Sequence, residues 1–190
     1  MNATEVLAID TASRSRVVVV RATRDGTVLG AEVVRGASVA TSLPGLLQRM
    51  LTGTVGAVVV VVGPGTYTGV RAGMAAALGV AQARGLPMYG VGSLEVIAST
   101  PVPGSYSGSW VAADAGRGAL YVASTPSAAT PRRVLESEFD TGGGVVFSTE
   151  ALALEPLVVI DPAEALAAAI PLALSRPPLE RDGLTALYVD

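Results

Sequence analysis

Hydrophobic residues in this chain come mostly in short unbroken runs, and polar residues and glycines punctuate them. Val6–Ile9, Val17–Val20 and Ala57–Val62 are such runs. Runs of strand length without alternation predict strands buried on both faces. Val6–Ile9 ends at Asp10, and Arg16–Ala22 reads as a second strand. Arg24-Asp25-Gly26-Thr27 then predicts a tight hairpin turn leading into a third strand, Val28–Arg35, because Asp-Gly supplies the backbone angles such turns need. From Ser38 to Leu51 the period changes to helical: Leu43, Leu46, Leu47 and Met50 share a face, and Pro44 is placed in an early turn, where its missing amide costs least.

The stretch from Ala57 to Arg84 joins a valine strand to the sequence GPGTYTG and then to a second helix. Pro64 cannot continue a central strand, and Thr66 or Thr68 can cap the helix by accepting from a first-turn amide. Two stripes run along this helix. Val70, Met74, Leu78 and Ala81 form an apolar one, read mainly as packing on the sheet. Ala75, Gly79 and Ala83 form a strip of small side chains that would let another helix approach closely. A fifth strand is expected at Pro87–Val91, followed by a short helix capped by Ser93, with Glu95 bonding exposed amides. The order β-β-β-α-β-α-β is that of a ribonuclease-H-like α/β unit.

Thr100–Ser109 is rich in Pro, Gly and Ser and marks a boundary, giving an N-terminal subdomain over residues 1–100 and a smaller one over 101–190. The second part echoes the first: WVAAD-AGR answers VLAID-TAS. Strands are expected at Trp110–Ala113, Leu120–Ser124, Arg133–Phe139 and Leu157–Ile160, with a turn at Thr141–Gly144. A helix over Ala163–Ile170 starts at Asp161-Pro162 and is ended or kinked by Pro171, and Leu187–Val189 is read as a closing edge strand.

Composition narrows the chemistry. Of 190 residues, 50% are hydrophobic, and no apolar run approaches a membrane span. No signal-like segment opens the chain, so a cytoplasmic protein without membrane contact is expected. The chain contains no Cys, no His and no Lys, so all 13 basic residues are Arg. Ordinary zinc sites, Ser–His and Cys–His nucleophile pairs and a phosphate-binding lysine are thereby excluded. The net charge of −3 leaves no broad basic surface for nucleic acid, and Arg132 and Arg133 read as a solvated strand end.

IDTAS, VVGPGTYTGVRAGMAAALGVA, YGVGSLE and DAGRGALYVA resemble, in this order, the bacterial TsaB (YeaZ) family. The resemblance implies a duplicated fold of the actin, Hsp70 and sugar-kinase (ASKHA) type, with the second half degenerate. It also implies a non-catalytic role in forming tRNA threonylcarbamoyladenosine. A TsaB-like chain docks the catalytic subunit TsaD through a helical bundle, supports recruitment of the ATPase TsaE, meets tRNA only through the complex, and forms homodimers when alone. The interface expected here comprises Leu43, Leu47, Met50, Tyr67, Arg71, Met74, Ala75, Leu78, Gly79 and Ala83. Asp10, Thr11, Gly63, Gly65, Thr66, Thr68 and Gly69 form a possible anion or nucleotide loop. No catalytic residue, metal or resident cofactor is expected, although a nucleotide could sit at the partner junction. Family members often carry a histidine near the position of Ser38, an Arg and a Glu where this chain has Gly116 and Ala119, and an Arg after the closing Tyr; this chain departs at each. The alternatives are an ATP-dependent phosphotransferase of the same superfamily, using Asp10 or Asp114 for magnesium, and a peptidase, which could use only a carboxylate dyad.

Overall fold

In the computed structural model, residues 5–36, 38–101, 108–126, 128, 130–180 and 186 are described, apart from the side chains of 39 and 40. The expected strand Leu187–Val189 and most of the Thr100–Ser109 boundary lie outside them.

The first half builds a sheet from β1 (Glu5–Asp10), β2 (Arg16–Thr23), β3 (Val28–Arg35), β4 (Val55–Val61) and β5 (Met88–Val91), ordered β3-β2-β1-β4-β5. β1, β2 and β3 pair antiparallel, while β4 joins β1 and β5 joins β4 in parallel. The valine runs Val17–Val20 and Val58–Val61 are fully buried, so the sheet is covered on both faces as their composition predicts. The second sheet repeats the plan with β6 (Trp110–Gly116), β7 (Ala119–Ser124), β8 (Arg132–Leu135), β9 (Val146–Ser148) and β10 (Leu157–Val159), ordered β10-β9-β6-β7-β8. Its pairing directions match the first sheet strand for strand. The fold is α/β with two ASKHA-like halves.

The second half is reduced. In the first, α1 (Val39–Met50) links β3 to β4 and α2 (Tyr67–Arg84) links β4 to β5. The corresponding links in the second are one 3-10 turn, Glu136–Glu138, with loop, and loop alone. The structure adds to or refines the sequence expectations at three places. Arg133–Phe139 is not one strand: β8 stops at Leu135, and Phe139 turns onto Trp110, edge to face with ring centroids 5.3 Å apart. β9 is an additional strand, too short for a periodicity reading to register. Pro44 is the sixth residue of α1, early in the helix but past the amides that lack intrahelical partners, so one amide of the α1 ladder is missing.

The remaining helices cross between the halves. α3 (Ser93–Ala98), which ends the first half, packs on β6, β7 and β9 of the second sheet. α4 (Pro162–Ala168) and α5 (Ile170–Leu174), which follow β10, pack on the first sheet, α4 against β1–β3 and α5 against β4 and β5. Asp161 caps α4 as expected, accepting from the amides of Ala163 and Glu164 at 2.9 and 3.0 Å, with Pro162 at the first helical position. Ser93 is not the cap of α3: Gly92 holds that position, its amide bonded to Glu95 at 2.8 Å, and the Ser93 hydroxyl donates to the Pro64 carbonyl at 2.6 Å. The hairpin glycine Gly26 (φ +91°) lies so close to α4 that a Cβ there would meet the Ala167 carbonyl oxygen at 2.7 Å.

Arg176, just past α5, grips Glu95 of α3 through two hydrogen bonds of 3.0 and 2.7 Å. This hydrogen bonding, with a further one from the Gly92 amide, holds the Glu95 carboxyl below its ordinary value of 4.5. A carboxyl with a depressed folded-state pKa contributes its stability above the unfolded value and loses it as pH falls through the folded one. In acid titrations of folding stability, Arg176→Ala should therefore lose stability at neutral pH and show a smaller decline below pH 4.5 than the parent. Leu166 is fully buried in the core shared by both halves. Leu166→Ala should cost about 2–5 kcal/mol in urea unfolding, with probes in both sheets shifting together.

Candidate functional site

Two loops meet at the centre of the molecule: the β1–β2 loop and the GPGTYTG connection from β4 to α2. Asp10 ends β1 and accepts from the Ala12 amide at 2.9 Å, which turns the chain back on itself. Thr11 follows, 1% exposed, and its hydroxyl donates to the Gly69 carbonyl at 2.7 Å. The Thr66 amide donates to the Ala12 carbonyl at 2.9 Å. Thr66 is the cap of α2, accepting from the Gly69 amide at 3.2 Å, which settles the choice between Thr66 and Thr68.

The glycines of the motif are explained by this contact. A Cβ at Gly65 would lie 2.6 Å from the Ala12 carbonyl oxygen, and Cβ atoms at Gly69 and Gly73 would run into Thr11. These three residues form a trough into which Thr11 and Ala12 press. Gly63 has φ +107°, a conformation that only glycine adopts freely. Thr11 and Gly69 are buried beneath the loop, whereas Thr68 is exposed to solvent.

Asp10 and Gly65 reach a narrow cleft between the halves, lined also by Arg16, Asp114, Thr149 and Glu150. Asp114 mirrors Asp10, accepting from the Gly116 amide at 2.6 Å. Among the described residues, no group of three or more acidic side chains is arranged to hold a metal ion. Arg16 is 5% exposed; its Nη2 donates to Thr149 Oγ1 at 2.5 Å, and its Nη1 lies 3.5 Å from a Glu150 carboxylate oxygen. The Ser13 and Ser15 hydroxyls donate to the same oxygen at 3.2 and 3.4 Å. Arg14 approaches Asp114 at 3.9 Å, its guanidinium packed where a Cβ on Gly116 would stand. Gly116 also has φ +73°, so a side chain there would be strained in its backbone even if Arg14 moved aside. The links through Ser13, Arg16 and Glu150 escaped sequence reading. A charged residue opening a valine strand was their only signal.

The expected interface residues divide by depth. Leu43, Met50 and Met74 are buried in the core, and Leu47 and Leu78 are half-buried against it. Tyr67, Arg71, Ala75, Gly79 and Ala83 are exposed and fall at every fourth position, forming one row along α2. Arg71 stacks over the Tyr67 ring at 4.3 Å, so the cation near the helix start meets an aromatic face. α1 packs beside α2, and Arg84 of α2 donates to the Thr52 carbonyl just past α1 at 2.6 Å.

A family model described as tRNA N6-adenosine threonylcarbamoyltransferase (TsaD) matches residues 48–154, more than half of the chain. The chain belongs to the TsaD family. The matched region begins at the end of α1, takes in the glycine trough and α2, and ends in the second half. Among solved structures, YeaZ from Pseudomonas aeruginosa is similar with a TM-score of 0.73 and 21% identity, covering 98% of this chain and all of that one. A second P. aeruginosa structure, an uncharacterized protein with similarity to peptidase YEAZ, has a TM-score of 0.68. This TsaD-family chain therefore has a YeaZ-like fold, as its motifs lead one to expect. Uncharacterized proteins of Mycobacterium tuberculosis and Mycobacterium bovis are 41% identical over 99 residues, 48% of this chain and 47% of each relative. The chain spans about half the length of the curated relatives it matches.

Two glycines on the same helix should respond with opposite sign. Gly79 has open space around its Cβ position, so Gly79→Ala should stabilise the isolated chain by up to about 1 kcal/mol through helix propensity. Gly73→Ala should destabilise it, because Thr11 occupies the space the methyl needs. Chemical denaturation of the two variants side by side measures both.

Proposed function

We propose that this chain is a non-catalytic partner subunit of a tRNA threonylcarbamoyladenosine-modifying complex, docking a catalytic TsaD homologue through α1 and α2. The observation that carries this reading is the solvent-facing row Tyr67, Arg71, Ala75, Gly79 and Ala83 on α2. Gly79 costs helix propensity and faces open space, yet the small side chains of the row let a second helix approach backbone to backbone. Membership of the TsaD family supports a role in tRNA modification. The absence of His, Cys and Lys from the sequence removes most side chains that catalysis and metal binding use, in keeping with a subunit that supports chemistry performed elsewhere.

In this reading, Leu47 and Leu78 flank the row, while Leu43, Met50 and Met74 support it from below. The same face serves a homodimer when the partner is absent, and the heterodimer assists recruitment of a TsaE homologue. tRNA is met through the complex, and any nucleotide belongs to the partner junction. An independent phosphotransferase receives less support, because the Asp10 and Asp114 carboxylates are each turned onto the amides of their own loops. The net negative charge and the absence, among the described residues, of a helix long and apolar enough to cross a membrane accord with a cytoplasmic place of work.

Light scattering of the chain mixed with a TsaD homologue tests the proposal. A stable one-to-one complex should form, and Gly79→Leu should weaken it at least about tenfold while leaving the circular dichroism of the free chain unchanged. A complex indifferent to Gly79→Leu would overturn the docking face, and ATP turnover by the isolated chain would overturn the non-catalytic role.

A further inference from the structure

The β1–β2 loop touches both the second half of the molecule and the start of α2. On one side Ser13, Ser15 and Arg16 converge on Glu150, with Arg16 also bonded to Thr149. On the other, two residues away, Thr11 donates to the Gly69 carbonyl and presses against Gly73, while the Ala12 carbonyl accepts from Thr66. The contacts on the α2 side leave no slack, since a single methyl at Gly65, Gly69 or Gly73 would collide with the loop. The contacts on the Glu150 side are looser: among the described residues the buried Arg16 Nε has no hydrogen-bond partner, and Nη1 meets Glu150 only as an ion pair at 3.5 Å. A buried guanidinium with unmade hydrogen bonds is stabilised by a small closing movement of the facing carboxylate and weakened by any opening.

We propose that this loop is a coupling element, through which the contact of the second half at Thr149–Glu150 sets the order of the first turns of α2, and so the docking of a partner on the exposed face of that helix. The docking part of this inference rests on the function proposed above; the intramolecular part does not. Glu150 lies on the cleft, away from the exposed row, and residues 11–16 bond both to its carboxylate and to the first turn of α2, beside a second path through α3, whose Ser93 donates to the Pro64 carbonyl. Coupling free energies between linked sites are reciprocal, so a partner ordering α2 also tightens the Thr149–Glu150 contact.

Amide hydrogen exchange on the full chain tests the link directly. Glu150→Ala should quicken exchange over residues 11–16 and 66–73 by about fivefold or more, with the amides of β7 and of residues 77–84 unchanged. Thr11→Val, which deletes the hydroxyl bonded to Gly69, should quicken residues 66–73 similarly, and the double variant should fall short of the product of the two effects. Unchanged exchange at 66–73 in Glu150→Ala, a uniform rise across both sheets, or fully multiplicative effects in the double variant would overturn the proposal. Glu150→Gln, which keeps the side chain's size, should show a smaller rise at 66–73 than Glu150→Ala; an equal rise would overturn the role of the carboxylate. In the complex with a TsaD homologue, exchange at residues 148–150 should slow. Failure of the docking reading would appear in light scattering and would leave the exchange results on the free chain as they are.

Discussion

The packing of Thr11 and Ala12 into the trough of Gly65, Gly69 and Gly73 is the contact on which the rest of the structure depends. It fixes where β1 ends, where α2 begins and how the first sheet presents itself to the second half. Every group in it is buried or bonded, and neither loop has room to move without the other. Part of the backbone of the glycine-rich motif is thereby committed to the protein. Its amides at Thr66 and Gly69 are already bonded to Ala12 and to the capping hydroxyl.

Much of this arrangement was legible in the sequence. The valine runs specified strands buried on both faces, because only such strands dispense with alternation. Asp25-Gly26 specified the hairpin, and Asp161-Pro162 the start of α4, each through local backbone chemistry. The echo of the first aspartate strand in the second half identified the duplication. What was not legible depended on distance in three dimensions. β9 is three residues long and carries no period of its own. Ser93 had the chemistry of a cap, yet tertiary contact with Pro64 claimed its hydroxyl. The partners of Arg16 lie more than 130 positions away, beyond any local pattern.

The two faces of α2 are more legible in the sequence than those of α1. Four-residue spacing correctly separated the small row of α2 from its buried stripe, since both follow from helix geometry. The same reasoning applied to α1 could not say which of Leu43, Leu47 and Met50 stay at the surface, because the sheet and α2 both compete for that face. A further four-residue series, Gly69 and Gly73, was present in the sequence and points inward; its meaning required knowing that Thr11 stands opposite.

The exchange of helices between the halves bears on how the chain is made. Synthesis runs from the N-terminus, so all five strands of the first sheet emerge well before α4 and α5, which cover part of it. Until residues 162–174 leave the ribosome, that surface of the sheet, including the valines of β2 and β4, lacks its native cover. α3 waits in turn for β6, β7 and β9. The nascent protein thus passes through a long stage with apolar surface awaiting distant sequence, the kind of surface that a holding chaperone covers.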